Sequence, residues 1–74
     1  MNAVAVPIRV NVYFDAEVRR FWADSPDLDG LTVEASTRDE LRKEAQWAAE
    51  TLLDLAGKSG VPELTLQDAV YRPE

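Results

Sequence analysis

Ile8, Val10, Val12 and Phe14 are apolar and alternate with Arg9, Asn11 and Tyr13. A period of two describes a strand with one buried face, so the first four residues define an inner face and the other three an outer one. Pro7 stands at the start of this strand, where no donor to the ladder is required. Asp15-Ala16-Glu17 supplies turn chemistry, with the Asp carboxylate able to close an Asx turn on its own backbone. A second strand is predicted over about residues 19–25, carrying Phe21, Trp22 and Ala23, and the short connection implies a hairpin with the first. Pro26-Asp27-Leu28-Asp29-Gly30 is the strongest loop signal in the chain, with Leu28 available to anchor it in the core. Leu31 to Ala35 reads as a third strand.

A helix start follows. Thr37 is placed to cap it, Glu40 stands three residues on as in a capping box, and Asp39 puts negative charge in the first turn, where the helix dipole favours it. Leu41, Ala45, Ala48, Leu52 and Leu55 then recur at spacings of three and four, which builds an apolar stripe over residues 38–56. Gly57 stops the helix, with Lys58 beside its negative end. After the Lys58–Pro62 loop, Leu64-Thr65-Leu66-Gln67 resumes alternation and Val70-Tyr71 extends it, so a last strand is expected. The order β-β-β-α-β predicts one α+β domain over residues 1–74: a three- to four-stranded antiparallel sheet with one helix packed on one face. Ala45, Ala48 and Ala49 let the helix approach the sheet closely. The outer sheet face, with Arg9, Asn11 and Tyr13, is then either solvated or covered by another copy.

Seventy-four residues suffice for one domain, but such a chain buries only about 60% of its unfolded surface. Cysteine and histidine are both absent, which removes disulfides and the usual soft-metal ligands. Packing and self-association are left as sources of stability, so a homodimer or higher homo-oligomer is expected. Lack of cysteine fits a reducing cytoplasm. No signal-peptide pattern opens the chain, and no apolar run approaches the roughly 20 residues of a membrane span. Fourteen acidic against eight basic side chains give a net charge of −6, which repels nucleic-acid phosphates and attracts a basic protein.

Enzymatic chemistry finds little material. Without Cys or His there is nothing to activate Ser25, Ser36 or Ser59, and no Gly-rich phosphate loop is present. Asp24, Asp27 and Asp29 crowd the loop around Pro26. Carboxylates at that spacing are candidates for a divalent cation, but the calcium-loop pattern is missing and no second acidic motif converges on them, so no metal and no cofactor is expected. A solvated turn or an acidic knob docking on a basic partner is the better reading. Phe21 and Trp22 are neighbours in one strand and must point to opposite faces; the pattern leaves open which of them fills the core. Trp47 falls off the apolar stripe, on the flank with Glu40, Thr51 and Asp54. That placement points to packing at the sheet edge, with an interface anchor as the alternative. Asp39 and Lys43 are spaced as an i,i+4 pair on an otherwise ordinary solvated face, and the Arg19-Arg20 doublet is too small for a nucleic-acid site.

The run Phe21-Trp22-Ala23-Asp24-Ser25-Pro26-Asp27-Leu28-Asp29-Gly30-Leu31-Thr32-Val33-Glu34-Ala35 resembles the N-terminal signature of HicB-like antitoxins. In that group an aromatic strand leads into a Pro-Asp-Leu-Pro-Gly turn, then a strand and a Thr-x-x-Glu-Leu/Ala helix start, matched here by Thr37-Arg38-Asp39-Glu40-Leu41. The likeness covers about residues 8–56 and is greatest to the short stand-alone bacterial members. It implies a partial ribonuclease H-like fold, homo-oligomers, and a non-catalytic protein-binding role in which the domain sequesters a small basic ribonuclease toxin. Asp29 departs from the pattern, which has Pro there, and the stretch after Gly57 is too short for the DNA-binding unit of complete antitoxins, so direct binding to nucleic acid is not expected. Asp24, Asp27, Asp29 and Trp22 are the candidate partner-binding residues, followed by Trp47. The alternatives are a stand-alone oligomeric domain without a toxin and, less favoured, a vestigial metal-dependent nuclease.

Overall fold

The computed structural model describes residues 4–69. Four strands and one helix follow in the order β1 (Ala5–Asp15), β2 (Arg20–Asp24), β3 (Thr32–Ala35), α1 (Arg38–Leu55) and β4 (Val61–Asp68). The strands form one sheet in the order β3-β2-β1-β4, with α1 packed on one face. Val70 and Tyr71, expected to prolong the last strand, lie outside the described residues.

β1 and β2 form the predicted antiparallel hairpin, with Val12 opposite Ala23 and Phe14 opposite Phe21. Its turn uses the Asx chemistry, as the Glu17 N–H donates to Asp15 Oδ1 at 3.0 Å. β3 adds antiparallel to β2. β4, however, runs parallel to β1, with Ile8 beside Leu64 and Val10 beside Leu66, so the sheet is mixed and not wholly antiparallel. Chain direction accounts for this. Two reversals make β3 run the same way as β1, and a helical crossover returns the chain so that the next strand repeats the direction of the one before the helix. The remaining edge of β1 then accepts β4 as a parallel neighbour.

β1 also begins earlier than expected, which places Pro7 inside the strand. Val61 N–H donates to Val4 O, and Ala69 N–H to Val12 O. Even-numbered residues of β1 therefore turn their polar backbone toward β4, and odd-numbered ones turn away from it. The nitrogen of Pro7 points to the β2 side of β1, at a level beyond the end of β2, which pairs only with Asn11 to Asp15, so its missing N–H costs no ladder bond.

To join β3 at one edge with β4 at the other, α1 must cross the sheet diagonally. Its buried line is Leu41, Ala45, Ala49 and Leu53, a row in steps of four that forms a ridge inclined to the helix axis. The expected stripe through Ala48, Leu52 and Leu55 is thus displaced: Ala48 and Leu52 flank the core, and Leu55 is 78% exposed. Thr37 Oγ1 accepts the Glu40 N–H at 3.1 Å, completing the Thr37 half of the predicted box. At the other end Gly57 (φ 70°) sends its N–H to Asp54 O, and Lys58 N–H reaches Leu53 O, the paired bonds of a Schellman stop. The Asp39–Lys43 pair does not form; the ion pairs among the described residues are Arg9–Asp27, Arg20–Glu34 and Arg38–Asp68.

Ile8, Val10 and Val12 from β1, Ala23, Leu31 and Ala35 complete the core, and no polar side chain is buried among the described residues. Small residues on both layers (Ala23 and Ala35 against Ala45 and Ala49) bring helix and sheet close. Phe14 shares the inner face but is 48% exposed. It lies with Phe21, at a ring separation of 4.9 Å, at the end of the sheet where α1 is only beginning. Leu28 packs against the core from the loop as expected.

Candidate functional site

The choice between Phe21 and Trp22 is resolved by the register. Ala23 is buried opposite Val12, so Phe21 faces α1 and Trp22 faces the other way. On the outer sheet face the Trp22 ring stacks on Tyr13, with centroids 4.0 Å apart and planes within 13°. The two are directly opposite in the ladder, where cross-strand aromatic pairs meet.

Next to this stack the face is polar and already bonded within itself. Asn11 Nδ2 donates to Asp24 Oδ1 at 3.1 Å, and the Tyr13 hydroxyl donates to the same oxygen at 3.3 Å. Gln67 Nε2, from β4, donates to Asn11 Oδ1 at 2.7 Å. Burial, and then the neighbouring Asp24 carboxylate, push the Tyr13 hydroxyl above its ordinary pKa. The network ties three strands together on the face away from the helix.

The Pro26 loop is built around β1. β2 ends at Asp24, leaving the backbone of Arg9 without a strand partner on that side. Ser25 Oγ donates to Arg9 O at 2.6 Å, and Asp27 Oδ2 accepts the Arg9 N–H at 2.8 Å. These two side chains take the place of the next residue of a strand and close the ladder edge. The Arg9 guanidinium then grips both oxygens of Asp27, Nε to Oδ2 at 3.0 Å and Nη2 to Oδ1 at 2.7 Å, the forked geometry that Arg and carboxylate favour. Arg9 side-chain hydrogen bonding, seconded by its backbone N–H, holds the Asp27 carboxyl down to about 2.

The three carboxylates singled out in the sequence thus have separate fates. Asp27 is neutralised by Arg9, Asp24 is committed to Asn11 and Tyr13, and Asp29 is exposed and makes no hydrogen bond or ion pair among the described residues. They do not converge, and no group of three or more Asp or Glu side chains among the described residues is arranged to hold a metal ion. The free acidic knob expected around Pro26 is therefore reduced to Asp29. The reason is Arg9, whose place two residues before Asn11 gave no sign in sequence that it would meet Asp27.

Trp47 is 65% exposed, which overturns the expected packing at the sheet edge. It stands two residues from both Ala45 and Ala49, about 200° around the helix from each. With those alanines at the centre of the buried line, Trp47 must project to solvent on the far side. Glu40, Glu44, Glu50 and Asp54 are all exposed around it, with Lys43 as the basic neighbour. Thr51 is satisfied by donating to Trp47 O at 2.9 Å. Trp22 and Trp47 hence lie on opposite sides of the molecule, and a single flat partner cannot cover both. No described helix is long and apolar enough to cross a membrane.

Neither a family model nor a curated protein matches the chain. Among solved structures it is similar to the crystal structure of a hypothetical protein from the extremely thermophilic bacterium Thermus thermophilus. The two are 28% identical with a TM-score of 0.68, over 93% of this chain and 97% of the other.

Proposed function

We propose that the chain is a non-catalytic, HicB-like binding domain that sequesters a small basic protein, a ribonuclease toxin in the antitoxin reading. The observation that carries the proposal is Trp47, a large aromatic side chain 65% exposed in the middle of the helix and surrounded by Glu40, Glu44, Glu50 and Asp54. An exposed aromatic anchor on a helix face with four carboxylates and one lysine fits a partner of opposite charge, since the ring supplies buried area and the excess carboxylates steer the encounter. The outer sheet face is the weaker candidate, because Arg9 engages both oxygens of Asp27, and Asn11 and Tyr13 share one oxygen of Asp24. The non-catalytic part of this reading rests on the sequence, which offers no His or Cys to activate a nucleophile.

The test is to express any small basic protein encoded beside the gene and to measure its binding to the purified chain by calorimetry. Binding should weaken as salt rises, because exposed opposite charges are screened. Trp47→Ala should remove most of it while leaving the circular dichroism unchanged. Undiminished binding by Trp47→Ala would reject this surface, and no binding by the native chain would reject the basic partner.

A further inference from the structure

β4 is the edge strand beside β1, and among the described residues no strand lies against its other side. Val61 and Ala69 donate their N–H groups to β1, so by alternation Pro62, Leu64, Leu66 and Asp68 turn their backbone groups outward. Pro62 closes one end of this edge. It has no N–H, and its carbonyl accepts Gln46 Nε2 at 3.2 Å. Leu64, Leu66 and Asp68 remain as a short open ladder. Leu64 and Leu66 are half-buried beside α1, and they wall a groove with Arg38, Asp39 and Arg42. The opposite edge, β3, is four residues long, short enough to be a poor template.

We propose that this edge pairs antiparallel with β4 of a second copy, across a two-fold axis, to give one continuous eight-stranded sheet. The strand's own pattern is self-complementary. In an antiparallel pair, outward-facing residues must oppose outward-facing ones. An axis at Thr65 sets Leu64 opposite Leu66 of the other copy, and again in reverse, forming four N–H···O bonds. The leucine side chains then meet across the seam on the helix side, and Glu63 faces Gln67. Moving the axis to Glu63 would bring two glutamates together and put Pro62 beside the axis, where its missing N–H removes a central bond. The register centred on Thr65 keeps the proline at the outer end of the seam and opposes no carboxylate to another. A chain of this size, with a small core of its own, gains from such an isologous contact.

Since the chain lacks cysteine, one introduced thiol reports the register. In Thr65→Cys the two thiols would face each other across the axis and oxidise to a covalent dimer, whereas Glu63→Cys should cross-link to Gln67→Cys only when the two variants are mixed. Sedimentation of the native chain should show a dimer. Thr65→Lys sets two ammonium groups face to face on an exposed position and should raise the dissociation constant about fivefold or more while the fold persists. Because each copy carries a charge of −6, self-association should strengthen with salt, opposite to the basic-partner complex. A native chain that stays monomeric at millimolar concentration would overturn the proposal. So would a dimer that Thr65→Lys does not weaken and Thr65→Cys does not cross-link, or a β4 edge that pairs only with a foreign peptide. None of these results bears on the Trp47 surface, which is on the helix.

Discussion

Leu53 and Leu55 are two residues apart at the end of one helix, yet the fold treats them oppositely: Leu53 is 4% exposed and Leu55 78%. The same truncation at each therefore reads the rotation of the helix directly. Leu53→Ala removes about three carbon groups from the core at about 0.8 kcal/mol each, and the unfilled space adds to that, for a loss of about 2.5–4 kcal/mol. A single-core domain this small has only about 3–5 kcal/mol to lose, so the variant should stand near its unfolding midpoint at room temperature. At about 4–8 °C per kcal/mol, the melting temperature should fall by about 10–30 °C. Leu55→Ala removes atoms that are already in water, and alanine is at least as good a helix former, so its effect should stay within about 0.5 kcal/mol. Urea titrations followed by far-ultraviolet circular dichroism, at one fixed protein concentration, measure both. Equal losses, or a larger loss at Leu55, would refute the buried line through Leu41, Ala45, Ala49 and Leu53. They would also withdraw Trp47 from the solvent face, since its position follows from that line.

The Arg9–Asp27 clasp should appear as a pH effect. The folded Asp27 carboxyl sits at about 2, below the roughly 3.9 of an unfolded Asp. Its contribution is therefore complete above the unfolded value and is lost as pH falls through the folded one. Carbon-detected titration should place the Asp27 midpoint far below the ordinary Asp range, and Arg9→Gln should raise it; an ordinary midpoint in the native chain would remove the clasp. Gly60 has φ 131°, and a Cβ there would lie 2.7 Å from Val6 Cγ2 and 3.0 Å from Val4 O. Gly60→Ala should consequently cost more than about 1 kcal/mol by strain at the junction of β4 and β1. Unchanged melting of that variant would show that the junction can yield.

What this sequence determined by itself is local. Alternation from Ile8 to Val12 set the inner face of β1, Asp15 its turn, Thr37 and Gly57 the two ends of the helix, and Leu28 the anchor of the Pro26 loop. Each follows from neighbours in the chain, through side-chain period, Asx bonding, capping and a left-handed glycine. The elements of the α+β class were legible for the same reason. Tertiary structure decided everything that depends on what an element packs against. The diagonal crossing of α1 chose Ala49 and Leu53 over Ala48 and Leu55, and so sent Trp47 into solvent. The crossover direction made β4 parallel to β1. The early end of β2 drew Asp27 onto Arg9, eighteen residues away in the chain, and took away the charge that the sequence had offered as a docking knob. Periodicity tells which side chains share a face, but the partner across that face is set by distances between segments that no local pattern encodes.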